Sequence, residues 1–171
     1  YRRDPILAID RAKSFGGVRS GGADCDLANT FDFIMETSEY HGLTSAFYFL
    51  AQGSLKEEDA RYLLTDPWIR ELVSHIDDKG HEIGYHASYD SYDKPALITN
   101  EFQRLIRVCE EEGIVRSQWG GRQHYLRWAN PVTWQAWEDA GLDYDSTLTF
   151  HDHVGFRCGI CYEYPAFNLE T

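Results

Sequence analysis

Hydrophobic residues recur along the chain with two alternating periods. Apolar positions three and four residues apart indicate helices, and short β-branched or aromatic runs between them indicate strands. A single helical turn is predicted over 59–64, apart from the longer helices given below. Alternating helices and strands joined by short links are typical of an α/β fold with a parallel sheet, either open or closed into a barrel. The predicted helices span 29–41, 67–79, 99–113 and 131–140, and the predicted strands span 44–50, 82–86, 114–118 and 143–148.

Residues that start and stop helices support these boundaries. Pro67 begins the second predicted helix and Gly80 ends it, and Thr99 is predicted to cap the third. Pro131 lies in the first turn of the fourth helix, and Gly141 follows its last turn. The links between elements are therefore short, and each strand end should lead directly into a turn before the next helix.

The stretch from Gly80 to Tyr92 is the most informative part of the chain for function. A strand over 82–86 ends in His86, and a turn carrying hydroxyls and the carboxylate of Asp90 follows at once. Because side chains alternate along a strand, His86 is expected to face away from His81. Polar groups at the carboxyl ends of parallel strands meet at one rim, where such folds place their ligand sites. The alternative is a structural histidine with ordinary hydrogen-bond partners.

A second polar cluster follows the next predicted strand. It contains Arg122, His124 and Tyr125, which come shortly after the run 114–118. Consecutive β/α units bring their strand ends to the same rim, so this cluster is expected to lie beside His86. An arginine there is suited to orienting a carboxylate base or binding a substrate, and a surface salt bridge is the alternative.

A third candidate site is the pair His151 and His153. Two imidazoles at i and i+2 fall on one face of an extended chain, a spacing that suits a metal site. This pair supports, as a separate hypothesis, a metal-dependent hydrolase centred on His151 and His153. The alternative is a solvated loop after the strand predicted over 143–148.

Four segments of the chain resemble one enzyme family when they are taken in order. They read GLTSAFYFL over 42–50, GHEIGYH over 80–86, RQHY over 122–125 and YDST over 144–147. They are similar to the motifs of the polysaccharide deacetylases of carbohydrate esterase family 4, the relatives of chitooligosaccharide deacetylases. The second motif is fairly specific, and the other three gain weight from their order and spacing.

This resemblance implies a fold, a reaction and a set of site residues. The fold would be an irregular (β/α) barrel, and residues 1–171 would form a single domain that lacks its first and last strands. The reaction would be metal-dependent removal of acetyl groups from an N- or O-acetylated polysaccharide or oligosaccharide, in a bacterial setting. The implied site residues are His86, Asp90 and His124 for a divalent metal, most simply zinc, and Arg122, His124 and Tyr125 for catalysis.

The chain also departs from the family pattern. Asp90 stands where the family has a second histidine, and His124 is expected to supply the missing imidazole. The family's T-F-D-D-G motif has two imperfect counterparts, 30–33 and 6–10, and both follow helical patterns better. The catalytic base is therefore expected outside this chain, which would then be an inactive fragment. A catalytically degenerate domain that binds carbohydrate or acts as a scaffold is the alternative function.

Composition narrows the choice of partners. The chain of 171 residues has a net charge of −12, which argues against nucleic acid and anionic membranes as partners. A glycan partner is implied by the resemblance alone. It has no apolar run long enough for a transmembrane helix. The cysteines, including Cys158 and Cys161, are expected to be free thiols, which favours a cytoplasmic over a secreted protein. The glycine-rich loop over 14–27 is expected to be mobile.

Overall fold

A computed structural model describes residue 26, residues 28–51 and residues 59–168 of the chain. The segment 6–10 and nearly all of the glycine-rich loop 14–27 lie outside the described residues, so their predictions are not tested. The chain divides into two compact units, Tyr1–Ser45 and Ala46–Thr171. Within the described ranges, no helix is long and apolar enough to cross a membrane.

The described part of the first unit is built around helix α1, Phe31–Tyr40. Its Met35 side chain is buried, and the chain leaves the helix through Gly42, whose φ is +66°. The hydroxyl groups of Ser38 and Ser45 lie 2.7 Å apart beyond this end of the helix. The helical interpretation of residues 30–33 is confirmed, because Phe31 and Asp32 occupy the first turn of α1 rather than the end of a strand.

The second unit contains a four-stranded parallel sheet in the order β1–β2–β3–β4. This arrangement confirms an α/β fold with a parallel sheet. The strands do not close into a barrel within the described residues. The elements of this unit are β1 Ala46–Leu50, α2 Pro67–Asp78, β2 Glu82–Ala87, α3 Pro95–Glu111, β3 Gly120–Gln123, a 3-10 helix His124–Leu126, α4 Val132–Ala140 and β4 Tyr144–Asp145.

One face of strand β2 packs against helices. The ring of Tyr85 lies 5.9 Å from the rings of Phe102 in α3 and Trp137 in α4, measured between centroids. Ile83 and Ala87 share this face and are buried. Helix α3 contacts both α2 and α4, so the three helices form one layer. His86 belongs to the opposite, alternate set of side chains, as the strand pattern predicts.

The third strand differs from its prediction. It spans Gly120–Gln123 rather than 114–118. The apolar signal at the earlier position comes from Ile114, which is buried and whose N–H donates to the carbonyl of Cys109 at 2.8 Å, as part of the C-terminal cap of α3. Gly113, with φ of +76°, makes this cap possible. The prediction therefore mistook a hydrophobic helix cap for a strand.

Other predicted elements also differ from the structure, including β1, which begins at Ala46 rather than at 44. Helix α3 begins at Pro95, and Thr99 lies inside it, where its hydroxyl donates to the carbonyl of Pro95 at 3.1 Å. The described segment 59–64 is irregular rather than helical. Strand β4 ends at Asp145 because its carboxylate accepts the N–H of Thr147 at 2.8 Å, which turns the chain out of the sheet.

Strands β2 and β3 approach each other so closely that Gly121 admits no side chain. A Cβ atom at Gly121 would lie 1.8 Å from the carbonyl oxygen of Tyr85, its partner in the β2–β3 register. The obstacle is backbone, which a rotamer change cannot relieve. This glycine therefore sets the separation of the two strands that carry the polar clusters.

We expect Gly121→Ala to lower the free energy of unfolding by roughly 3 kcal/mol or more, because the added methyl group must push two paired strands apart. Urea denaturation followed by circular dichroism measures this change. The matched control is Val115→Ala, at an exposed residue just before β3, which should stay within about 0.5 kcal/mol of the wild type. Wild-type stability of Gly121→Ala would contradict the strand separation described here.

Candidate active site at the carboxyl ends of the strands

Two histidines meet where β2 and β3 end. His86 Nε2 lies 2.8 Å from His124 Nδ1, and the two rings are nearly perpendicular with centroids 4.9 Å apart. The sheet register explains this contact, because His86 pairs with Arg122 and His124 follows two residues later. The structure thus brings the two polar clusters of the sequence to one rim.

Burial keeps His86 in its neutral form. Loss of solvent, followed by the positive charge that His124 would carry, lowers the pKa of His86 from 6.5 to about 4. At neutral pH the ring therefore carries an unprotonated nitrogen. A neutral imidazole is the form that binds metals and accepts protons.

Asp90 is held by a different group of side chains. The Arg127 guanidinium lies 4.1 Å above the ring of Tyr89 and 4.0 Å from that of Tyr92, and it donates to the carbonyl of Tyr89 at 2.5 Å. The same guanidinium is 3.8 Å from Asp90 Oδ1. Among the described residues, no three His, Cys, Asp or Glu side chains are grouped closely enough to hold a metal. The predicted set of His86, Asp90 and His124 is therefore not assembled as a three-ligand cluster here.

Tyr125 is exposed beside the histidine pair. Its side chain is 65% exposed, and its ring meets those of His124 and Tyr89 edge to face at 4.7 and 5.4 Å. Both Tyr125 and Leu126 have φ of 54°, a left-handed conformation that costs free energy for residues other than glycine. The strained turn places an aromatic ring at the open side of the rim.

Arg122 lies on the same face of the sheet as His86. Its Nε donates to the carbonyl and the hydroxyl oxygen of Ser146, both at 3.2 Å, and its guanidinium is 5.8 Å from the ring centroid of Tyr48. These contacts connect the end of β3 to β1 and to the turn after β4. Arg122 therefore has a structural role in addition to the catalytic one expected from the sequence.

Glu101 was missed by the sequence reasoning, although it is fully buried in α3. Its carboxylate accepts the Tyr85 hydroxyl at 2.6 Å, the Ser88 N–H at 3.1 Å and the Ser88 hydroxyl at 2.6 Å. Ser91 continues this network, because its hydroxyl donates to the Ser88 carbonyl at 2.8 Å and to Gln123 Oε1 at 3.3 Å. The network therefore links the turn after His86 with the residue before His124. Its signal in the sequence was a glutamate on the apolar face of a helix.

Asp59 was also missed by the sequence reasoning, which gave it no role. The residue is only 8% exposed, and its Oδ1 accepts the N–H of Tyr89 at 2.9 Å. The neighbouring Tyr62 hydroxyl bonds the N–H of Leu50 at 2.8 Å, where β1 ends. No periodicity in the sequence marks Asp59, because its hydrogen-bond partner Tyr89 lies 30 residues further along the chain.

The third candidate pair lies in an exposed segment. The His151 side chain is 83% exposed, and His153 stacks on Phe150 with ring centroids 4.0 Å apart and bonds Asp152 at 2.6 Å. Cys158 and Cys161 are exposed free thiols, as expected, and Cys109 is buried. Cys25 lies outside the described residues. This segment offers no enclosed site.

No protein-family model, curated protein or solved structure matches this chain. The functional argument therefore depends on the residues and distances at this rim.

The lowered pKa of His86 predicts a specific loss of stability in acid. As pH falls, the unfolded chain takes up this proton near pH 6.5, whereas the folded protein takes it up only near pH 4. The contribution of neutral His86 is therefore complete above pH 6.5 and is lost as pH falls to about 4, an upper limit of about 3 kcal/mol.

Urea unfolding of the wild type and of His86→Gln between pH 7 and pH 4 measures this contribution. The wild type should lose more stability than the variant across this window. His41→Gln, at an exposed histidine of the first unit, is the control and should follow the wild-type profile. Parallel curves for the wild type and His86→Gln would show that burial does not disfavour protonation of His86.

We expect Glu101→Ala to reduce the free energy of unfolding by roughly 3 to 5 kcal/mol, because it leaves three buried donors on Tyr85 and Ser88 without an acceptor. Urea denaturation at neutral pH measures the loss. Glu111→Ala, at the exposed end of the same helix, is the control; it breaks only a surface ion pair with Arg70 and should cost less than about 1 kcal/mol. A loss below about 1 kcal/mol for Glu101→Ala would contradict the role given to this carboxylate.

Proposed function

We propose that this chain is a divalent-metal-dependent hydrolase that removes acetyl groups from an N- or O-acetylated glycan, with a sheet that forms part of a deacetylase-type barrel. The contact between His86 and His124 is the observation that carries this proposal. It brings the ends of the GHEIGYH and RQHY segments together at a single rim of a parallel sheet. Ligand sites of parallel α/β folds lie at this rim.

The side chains present are of the kind that bind a divalent metal. Two imidazoles converge, and the depressed pKa of His86 leaves one of them unprotonated at neutral pH. In this proposal, His86 and His124 hold the metal and Asp90 is the third candidate ligand. Asp90 is near Arg127 in this structure, so a metal would compete with that contact.

A bound metal would polarise the acetyl carbonyl and lower the pKa of a nearby water. The protein residues around it would bind and orient the substrate. Tyr125 presents an exposed ring against which the face of a sugar can stack, and its backbone N–H is the proposed donor to the oxygen that becomes negatively charged. Arg122 would hold the rim in place through its contacts with Ser146.

A second candidate function is carbohydrate binding without catalysis. Two contacts favour it. The Asp90 carboxylate lies beside the Arg127 guanidinium, which itself lies over the ring of Tyr89. The exposed ring of Tyr125 also lies beside Tyr89. Such a domain would bind sugar through stacked aromatic rings and would need no metal. The two functions differ in one measurable property. The deacetylase binds zinc at the rim, whereas the sugar-binding domain needs no zinc.

Zinc titration calorimetry of the metal-free protein tests the proposed function. We expect about one equivalent to bind, and we expect His86→Ala and His124→Ala each to weaken zinc binding at least tenfold because each removes a ligand. His151→Ala is the matched control, since it removes an exposed imidazole far along the chain and should leave the affinity unchanged. Sugar binding that is independent of zinc, with no zinc bound at the rim, would favour the second function. If His151→Ala were the only variant to lose zinc binding, the metal site would be at His151 and His153 instead.

A further inference from the structure

A polar cleft lies at the edge of the sheet opposite to the histidine pair. It is formed where helix α2 ends, where β2 and β4 begin, and by the link that leads into β3. Its volume of about 370 Å³ is within the range of sites that bind small molecules. The function proposed above uses none of its side chains. The polar side chains that line it are those of Asp77, Glu82, Arg116, Ser117, Gln118 and Tyr144.

Arg116 is the only cation among the described residues that line the cleft, and its charge is already paired. Its Nη2 lies 2.8 Å from Asp77 Oδ1 and also donates to the carbonyl of His81. These contacts hold the guanidinium against the last turn of α2 and the start of β2. An anionic ligand would have to compete with Asp77 for this group, so the cleft is poorly suited to anions.

Glu82 adds a second negative charge, which no other cation of the described lining offsets. Its Oε2 accepts the hydroxyl of Tyr144 at 2.7 Å, and this partner is neutral. Burial, followed by the hydrogen bond to Glu82, raises the pKa of Tyr144, so the phenol stays protonated at neutral pH. Two carboxylates and one guanidinium give the cleft a net charge of −1, in a chain whose net charge is −12. The surrounding charge therefore favours a cationic ligand.

The sheet itself holds Tyr144 in position. Tyr144 is the register partner of Gly120, where an added Cβ atom would lie 2.2 Å from Cζ of the tyrosine ring. The ring therefore lies across β3, and its hydroxyl reaches the start of β2. The hydrogen bond to Oε2 orients the Glu82 carboxylate and leaves Oε1 to accept a hydrogen bond from a ligand.

We propose that this cleft binds a small primary amine that carries hydroxyl groups. The ammonium group would donate to Glu82 Oε1, because a charge-assisted hydrogen bond there offsets the remaining negative charge. Ser117 and Gln118 offer a hydroxyl and an amide, which can both donate to and accept from ligand hydroxyl groups. The aliphatic side chains of the described lining are those of Ile83, which is buried, and Val115, which is exposed. A flat apolar ligand would therefore find little surface to pack against.

This inference goes beyond the proposed function and does not depend on it. Binding of an amine at the amino ends of the strands needs neither zinc nor the histidine pair. Amino sugars belong to the same class of ligand, and removal of an N-acetyl group from a glycan leaves such an amine. If the proposed function is correct, the cleft binds the class of compound that the reaction produces.

Titration of the full 171-residue protein with glucosamine, without added metal and followed by two-dimensional amide NMR, tests the proposal. We expect saturable shifts of the amide signals of Gly80, Glu82 and Ser117, with a Kd in the low millimolar range or tighter for a ligand of about twelve non-hydrogen atoms. Glucose and N-acetylglucosamine should bind at least tenfold more weakly, because neither has an ammonium group. This comparison uses only the wild type, so it does not depend on the folding of a variant.

A substitution at Glu82 locates the ammonium group. Glu82→Gln removes the charge but keeps a side-chain oxygen for the Tyr144 hydroxyl. We expect it to weaken glucosamine binding at least tenfold and to leave glucose binding unchanged. Glu71→Gln is the matched control, because it removes the same charge from an exposed residue of α2 that does not line the cleft, and it should bind glucosamine as the wild type does.

Three results would overturn the proposal. The first is equal affinity of the wild type for glucosamine and glucose, or no amide shift up to about 50 mM glucosamine. The second is unchanged glucosamine binding by a folded Glu82→Gln. The third is loss of glucosamine binding in His86→Ala, which would place the amine at the opposite edge of the sheet. A protein that binds glucosamine in the cleft but binds no zinc would support this inference and overturn only the function proposed above.

Discussion

The buried carboxylate of Glu101 is the interaction on which the candidate site depends. It joins helix α3 to the end of β2 by accepting hydrogen bonds from Tyr85 and from both donors of Ser88. A buried carboxylate is costly unless its oxygens are satisfied, so these three bonds fix the turn in one conformation. The bonds of Ser91 carry the same constraint to Gln123 and hence to the 3-10 helix that begins with His124. Buried hydrogen-bonding groups thereby hold the rim in one arrangement.

The distance between the strands is the second constraint, and it acts through Gly121. No side chain fits between β2 and β3 at this position, so the two backbones are in contact where the polar clusters begin. His86 and His124 reach hydrogen-bonding distance because their strands are that close. A strand of the sequence Gly-Gly-Arg-Gln has poor β-propensity by itself. Its place in the sheet therefore depends on close backbone approach rather than on local preference.

The contrast between local sequence preference and long-range packing explains which parts of the structure could be predicted from the sequence. The helices and strands β1 and β2 follow from periodicity and from breaker residues, and the alternation of His86 with Tyr85 follows from strand geometry. Strand β3 could not be predicted, since glycine carries no periodic signal and the cap residue Ile114 imitates a strand. Glu101 was recognisable in principle as a charged residue on an apolar helix face. Asp59 was not, because its contact with Tyr89, 30 residues further along the chain, is not encoded by any local pattern.

The charges at the rim give a physical reason for the proposed metal. Asp59 brings a buried negative charge to a place where a cation would offset its desolvation. His86 does not provide that cation at neutral pH, because burial and His124 lower its pKa to about 4. The rim instead offers two features, the buried carboxylate of Asp59 and the unprotonated nitrogen of His86. A divalent cation satisfies both properties, whereas an uncharged sugar alone compensates neither. The buried carboxylate of Asp59 and the unprotonated nitrogen of His86 therefore both support the proposed zinc site.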